Sequence, residues 1–128
     1  MVAEHSNGLI VTVDRDFNVV SRIQSMGDDP CHLQTDRLNK YLVATNYGSG
    51  SVLVCRLENH IPKSVHSFIT HEGSSIKKSR QSSPHPHSSV FSEDNTILFV
   101  ADLGTDHVYY YSFSNETIEW SQDRSIKI

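Results

Sequence analysis

Apolar residues in this chain come in short runs, six or seven positions long, that end at Gly, Asn, Asp or Ser. "GLIVTVD" (8–14) and "NVVSRI" (18–23) come first, followed by "YLVATNY" (41–47), "SVLVCRL" (51–57), "ILFVADL" (97–103) and "HVYYYSF" (107–113). β-branched and aromatic residues are frequent in these runs, the composition of a pleated, half-buried strand. No stretch sustains apolar spacing at 3.6 residues between credible caps. The pattern predicts an all-β chain.

The runs also repeat. "CHLQTDRLNKYLVATNYGSGSVLVCRLEN" (31–59) aligns with "PHSSVFSEDNTILFVADLGTDHVYYYSFSN" (86–115) at a period of 55–56 residues. In this alignment His32 falls over His87, with one residue inserted in the second copy, and Asn46-Tyr47-Gly48 falls over Asp102-Leu103-Gly104. Leu53, Cys55 and Leu57 alternate on one strand as Tyr109, Tyr111 and Phe113 do on the other. About four short strands per repeat is the signature of a β-propeller blade. The pattern divides into the outer half of one blade (8–23), a blade at 32–70 and a blade at 87–128. Two and a half blades cannot close a ring of about four to eight. The chain therefore reads as a fragment of a larger propeller, or as one that self-associates through uncovered blade faces.

Composition narrows the partners. A net charge of −4 argues against nucleic acid, whose phosphates need a basic face. The basic cluster Lys77, Lys78 and Arg80 is short and loop-like, and suits a small anion better. No apolar run reaches the length of a membrane span. Cys31 and Cys55 show neither metal-type spacing nor a disulfide framework, and no signal-like N-terminus precedes them, so a cytoplasmic setting is expected.

The candidate chemistry sits in "QSSPHPHSSVF" (81–91). Pro84 and Pro86 fix their own φ and bias the preceding residues toward extended geometry. His85 and His87 are thus presented stiffly, directly before a strand. His-x-His also occurs in metal sites, but no third and fourth ligand lie nearby in sequence, and no metal is expected.

Three motifs in order, Asn-Tyr-Gly-x-Gly-Ser (46–51), Arg-Gln-x-x-Pro-His-x-His (80–87) and Asp-Leu-Gly-x-Asp (102–106), resemble the propeller-type lactonases. That family includes the seven-bladed bacterial 6-phosphogluconolactonases and the fungal carboxymuconate lactonising enzyme. The likeness runs from about Asp29 to Phe113 and covers only the family's N-terminal third. It implies hydrolysis of 6-phosphoglucono-δ-lactone, a phosphorylated sugar lactone of the pentose phosphate pathway, with no cofactor, and an arginine and a glutamate supplied by later blades.

Opening a lactone needs water made nucleophilic, an oxyanion stabilised and the leaving alkoxide protonated. The position of His87 matches the family's catalytic histidine, so His87 is expected to be the acid/base residue, at the mouth of the central channel. His85 is expected to contact substrate there or to brace His87, and His32 either to meet substrate or to be a strand-start histidine bonded to backbone. Arg80 would hold an anionic group. Asp102, which ends a strand before a glycine turn, is expected chiefly to cap that turn and secondarily to contact substrate. The rival readings are a non-catalytic propeller used as a binding platform and an inactive truncated product.

Overall fold

The computed structural model describes residues 1–4, 7–114, 118–119 and 124–128. Among them there is no α-helix, and the strands fall into three antiparallel sheets. The first holds β1 (Val2–Glu4), β2 (Leu9–Val13) and β3 (Val19–Gln24). The second holds β4 (Pro30–Thr35), β5 (Tyr41–Asn46), β6 (Ser51–Glu58) and β7 (Ile61–Thr70). The third holds β8 (Pro86–Phe91), β9 (Ile97–Asp102) and β10 (His107–Phe113), with β11 (Ile118–Glu119) and β12 (Ser125–Lys127) both paired to β10. Within each sheet the strands up to β11 pair in chain order, the meander of a propeller blade.

Two-residue alternation stacks the sheets. In the second sheet Tyr41, Val43, Val52, Val54 and Ile69 face the third, meeting Phe91, Leu98, Val100, Tyr109, Tyr111 and Phe113. Their neighbours Leu42, Ala44, Leu53 and Cys55 face the first sheet and pack on Ile10. Every residue of β5 is consequently buried. Each buried Val, Leu, Ile or Phe among these stabilises the fold by about 1.5–3 kcal/mol relative to exposure.

Polar contacts pin the second and third sheets at the far end of their inner strands. Asp36 accepts backbone N–H bonds from Lys40 (2.7 Å) and Tyr41 (2.8 Å). Its other oxygen accepts from the Asn95 side chain (3.0 Å), which belongs to the β8–β9 turn. The β6–β7 hairpin turns on Asn59 and His60, both at positive φ, as a two-residue turn matched to strand twist requires.

The outward face of the third sheet is apolar. Register places Val90 beside Phe99, Phe99 beside Tyr110, and Val108 between Ala101 and Ile126. Val90 is 55% exposed and Ile126 61%. The 128-residue chain on its own is expected to self-associate through such faces. Light scattering on the purified chain checks this, and a cooperatively melting monomer would contradict it.

Candidate active site

Both inner strands begin with the same irregularity. In β4 the register shifts between Pro30 and His32, and in β8 it shifts between Pro86 and Ser88. Pro30 opposes Asn46 as Pro86 opposes Asp102, so the bulged residues are Cys31 and His87. This corrects the alignment that set His32 over His87. The structural counterpart of His87 is Cys31, and the counterpart of His32 is Ser88. A β-bulge adds a residue without a partner, and the shared proline before it was the sequence signal for the true offset.

The Pro-His-Pro-His segment is held by its backbone. The His85 N–H donates to Asp102 Oδ1 (2.8 Å), and its carbonyl accepts from the Leu103 N–H (3.0 Å). Gly104 allows this approach, because a Cβ there would lie 1.9 Å from the Ser83 carbonyl oxygen and 2.7 Å from the His85 nitrogen. The His85 ring stacks on Tyr47, with centroids 4.3 Å apart and planes 12° apart. Its Nδ1 lies 2.7 Å from the Tyr47 carbonyl. A carbonyl only accepts, so Nδ1 carries the proton and Nε2 holds the lone pair when the ring is neutral.

The same tyrosine ring meets the His87 ring in a T-shaped contact, centroids 5.8 Å apart. His87 is exposed, and it borders an open pocket of about 350 Å³ with Ser88, Ala101, Asp102, Leu103, Asp106 and Ile128. His32 comes in from the neighbouring sheet, and its Nδ1 accepts from the Ser89 N–H (3.3 Å). Burial, and then repulsion from His87, hold the His32 imidazole below its ordinary value. The Cys31 thiol lies within 3.6 Å of the Pro86 and His87 carbonyls. The inner-strand starts of two adjacent sheets thus bring His85 and His87 to Tyr47, and His32 within electrostatic reach of His87.

Arg80 stands apart from this group. It is exposed and lines a second open pocket, of about 190 Å³, with Lys77, Gln81, Leu103 and Asp106. Leu103 and Asp106 border both pockets, which therefore adjoin at the β9–β10 turn. The buried member of the Arg-Gln pair is Gln81. Its side chain donates to the Leu103 carbonyl (2.9 Å) and to Asp106 (2.5 Å), and accepts from the Lys77 N–H (2.9 Å).

Asp102 reaches the site without facing a ligand. Its side chain has no exposure, and Oδ1 is taken by the N–H groups of His85, Gly104 and Thr105. It is a turn cap and a brace, with its carboxylate turned into the interface between the sheets. Sequence reasoning missed Tyr47, Cys31 and the buried His71. Tyr47 stood in a quoted motif, so its place in a turn between strands was the available signal. Among the described residues no group of three or more His, Cys, Asp or Glu side chains is arranged to hold a metal.

Three stacked meander sheets, with chemistry-bearing residues at the starts of the inner strands, define part of a β-propeller. The family model described as "Lactonase, 7-bladed beta-propeller" matches residues 4–128, and the chain belongs to that family. It is 30% identical over 117 residues to a 6-phosphogluconolactonase of Formosa agariphila, covering 88% of this chain and 33% of the relative. It is 31% identical over 100 residues to the 6-phosphogluconolactonase of Bacillus subtilis, covering 77% and 28%. The chain spans about a third of the length of these curated relatives. Among solved structures it resembles the periplasmic gluconolactonase of Pseudomonas aeruginosa, with a TM-score of 0.77 and 28% identity over 85% of this chain and 32% of that one. A Lactobacillus plantarum protein shares the fold at a TM-score of 0.77 and 21% identity, over 94% of this chain and 35% of that one.

The depressed His32 has a pH consequence. Above the ordinary value of about 6.5 the ring is neutral folded and unfolded alike. As pH falls below that value the unfolded chain takes the proton first, so stability falls until folded His32 protonates too. An NMR titration should place the His32 midpoint below the ordinary value. His87→Ala should raise it only partway, because burial is the larger cause and remains. A midpoint indifferent to His87→Ala would show that the rings do not interact.

Proposed function

We propose that the protein carrying this chain hydrolyses a sugar lactone, 6-phosphoglucono-δ-lactone, as a cytoplasmic step of the pentose phosphate pathway. The observation that carries this reading is the exposed His87 at an open pocket, with His85 beside it against Tyr47 and His32 close enough from the neighbouring sheet to feel its charge. The relatives named as 6-phosphogluconolactonases support the choice of substrate.

In this reading His87 is the acid/base residue. Its exposed ring takes a proton from water as that water attacks the lactone carbonyl, and returns it to the ring oxygen when the tetrahedral intermediate collapses. His32 is protonated at Nε2, because its Nδ1 accepts from Ser89. A neutral N–H donor at that place suits the carbonyl oxygen as it gains charge. His85, locked on Tyr47, forms the wall that orients the sugar. Arg80, across the β9–β10 turn, meets the anionic end of the substrate, where its planar fork matches a phosphate. None of these steps calls for a metal or organic cofactor.

Proton release, with the spontaneous reaction subtracted, measures turnover in a protein that carries this chain. His87→Ala should lower kcat by about 10²-fold or more, the lower end of what general acid–base assistance contributes, and folding should survive. Arg80→Ala should chiefly raise KM, because a phosphate contact is similar in ground and transition states. A chelator should change nothing. Full activity in His87→Ala would move the proton transfer to another residue.

A further inference from the structure

His71 opens the loop that leads to the histidine pair, yet its side chain never reaches solvent. Its backbone N–H donates to the Gly50 carbonyl (2.9 Å), which pins the loop to the β5–β6 turn. The ring lies 4.2 Å from that of Tyr109, on the apolar interface between the second and third sheets. Nδ1 lies 2.6 Å from Asp102 Oδ2, and Nε2 lies 2.5 Å from the Tyr111 hydroxyl. A carboxylate only accepts, so Nδ1 carries a proton toward Asp102, and the Tyr111 hydroxyl donates to Nε2 of the neutral ring.

This array resembles an acid–base relay, but with both His71 and Asp102 fully buried it touches no ligand. Its output is mechanical. Asp102 Oδ1, the oxygen that His71 leaves free, accepts the N–H groups of His85 (2.8 Å), Gly104 (2.9 Å) and Thr105 (3.1 Å). A buried carboxylate is retained in its charged form only where it is paired and hydrogen-bonded. Burial pushes the Asp102 carboxyl up, but the bonds from His71 and the His85 N–H outweigh this and hold it below its ordinary value. Without His71 the carboxylate loses its one side-chain partner among the described residues and is left charged in an apolar interface, or takes up a proton and rotates.

We propose that His71 is the positioning residue of the histidine site: by holding Asp102 it fixes the backbone of His85, and with it the place of the His87 ring. The consequence for turnover rests on the lactone-hydrolase reading; the consequence for geometry does not.

Two variants of the full chain separate positioning from packing. His71→Phe fills the space but offers Asp102 no donor, whereas His71→Asn keeps an N–H near the place of Nδ1. Long-range proton–nitrogen spectra of the histidine rings should show His85 as the Nδ1–H tautomer in the unaltered chain and in His71→Asn. That signal should be lost in a folded His71→Phe. Its persistence in His71→Phe, or its loss in both variants, overturns the proposal. Should His71→Phe fail to fold, scalar couplings across hydrogen bonds in the unaltered chain decide. The Asp102 carboxyl carbon should couple both to His71 Nδ1 and to the His85 amide nitrogen, and absence of either coupling overturns the proposal. In a protein carrying this chain that opens the lactone, His71→Phe should lower kcat by about 10²-fold, the loss a displacement of roughly 1 Å brings, with KM little changed. His71→Asn should restore most of that loss, and a folded His71→Phe with full kcat overturns the proposal. A protein that opens no lactone in its unaltered form refutes the hydrolase reading, while the ring spectra still decide the role of His71.

Discussion

A four-stranded sheet whose central strand is buried at every position needs a neighbour on each face, and the rest of this structure follows from that need. Alternation in β5 and β6 sends Val43, Val52 and Val54 one way and Leu42, Leu53 and Cys55 the other. Stacking on the third sheet places the start of β4 beside the start of β8. Only then can the Ser89 N–H reach His32 and the His85 ring lie on Tyr47. The histidine group is thus a product of blade stacking, and no single sheet contains it.

The class of fold was legible because β-branched and aromatic runs are dense and helical periodicity is absent. β4 was harder to read. "PCHLQT" is largely polar and mostly half-buried, since an inner strand at a channel carries fewer apolar residues. The repeat was visible, but its offset at the inner strand was misread by one residue. An alignment that matches histidine with histidine does not register a bulge, whereas the pairing of Pro30 with Asn46 and Pro86 with Asp102 does.

The stiffness of Pro-His-Pro-His was legible too, since proline geometry is local. What the segment rests on was not. His71 reads as the polar opening of a solvated loop, and its partners Asp102 and Tyr111 lie 31 and 40 residues further on. Asp102 shows both sides of this limit. Its capping of the turn follows from its place before Leu103-Gly104, but its bond to His71 is a tertiary fact. One carboxylate thus serves a turn, a loop and a buried ring at once.

The connection over residues 71–85 is three times as long as that over residues 25–29, which joins the first sheet to the second. Loop-closure entropy grows only with the logarithm of length, so the difference costs about 1 kcal/mol. Contacts within the loop offset it: Ser75 and Gln81 both donate to the Asp106 carboxylate, and the Ser75 N–H donates to the Gln81 carbonyl. In evolutionary terms, the junction between two blades is a place where a propeller can lengthen and acquire new side chains without rebuilding its sheets. Two carboxylates of the following blade, Asp102 and Asp106, anchor the addition.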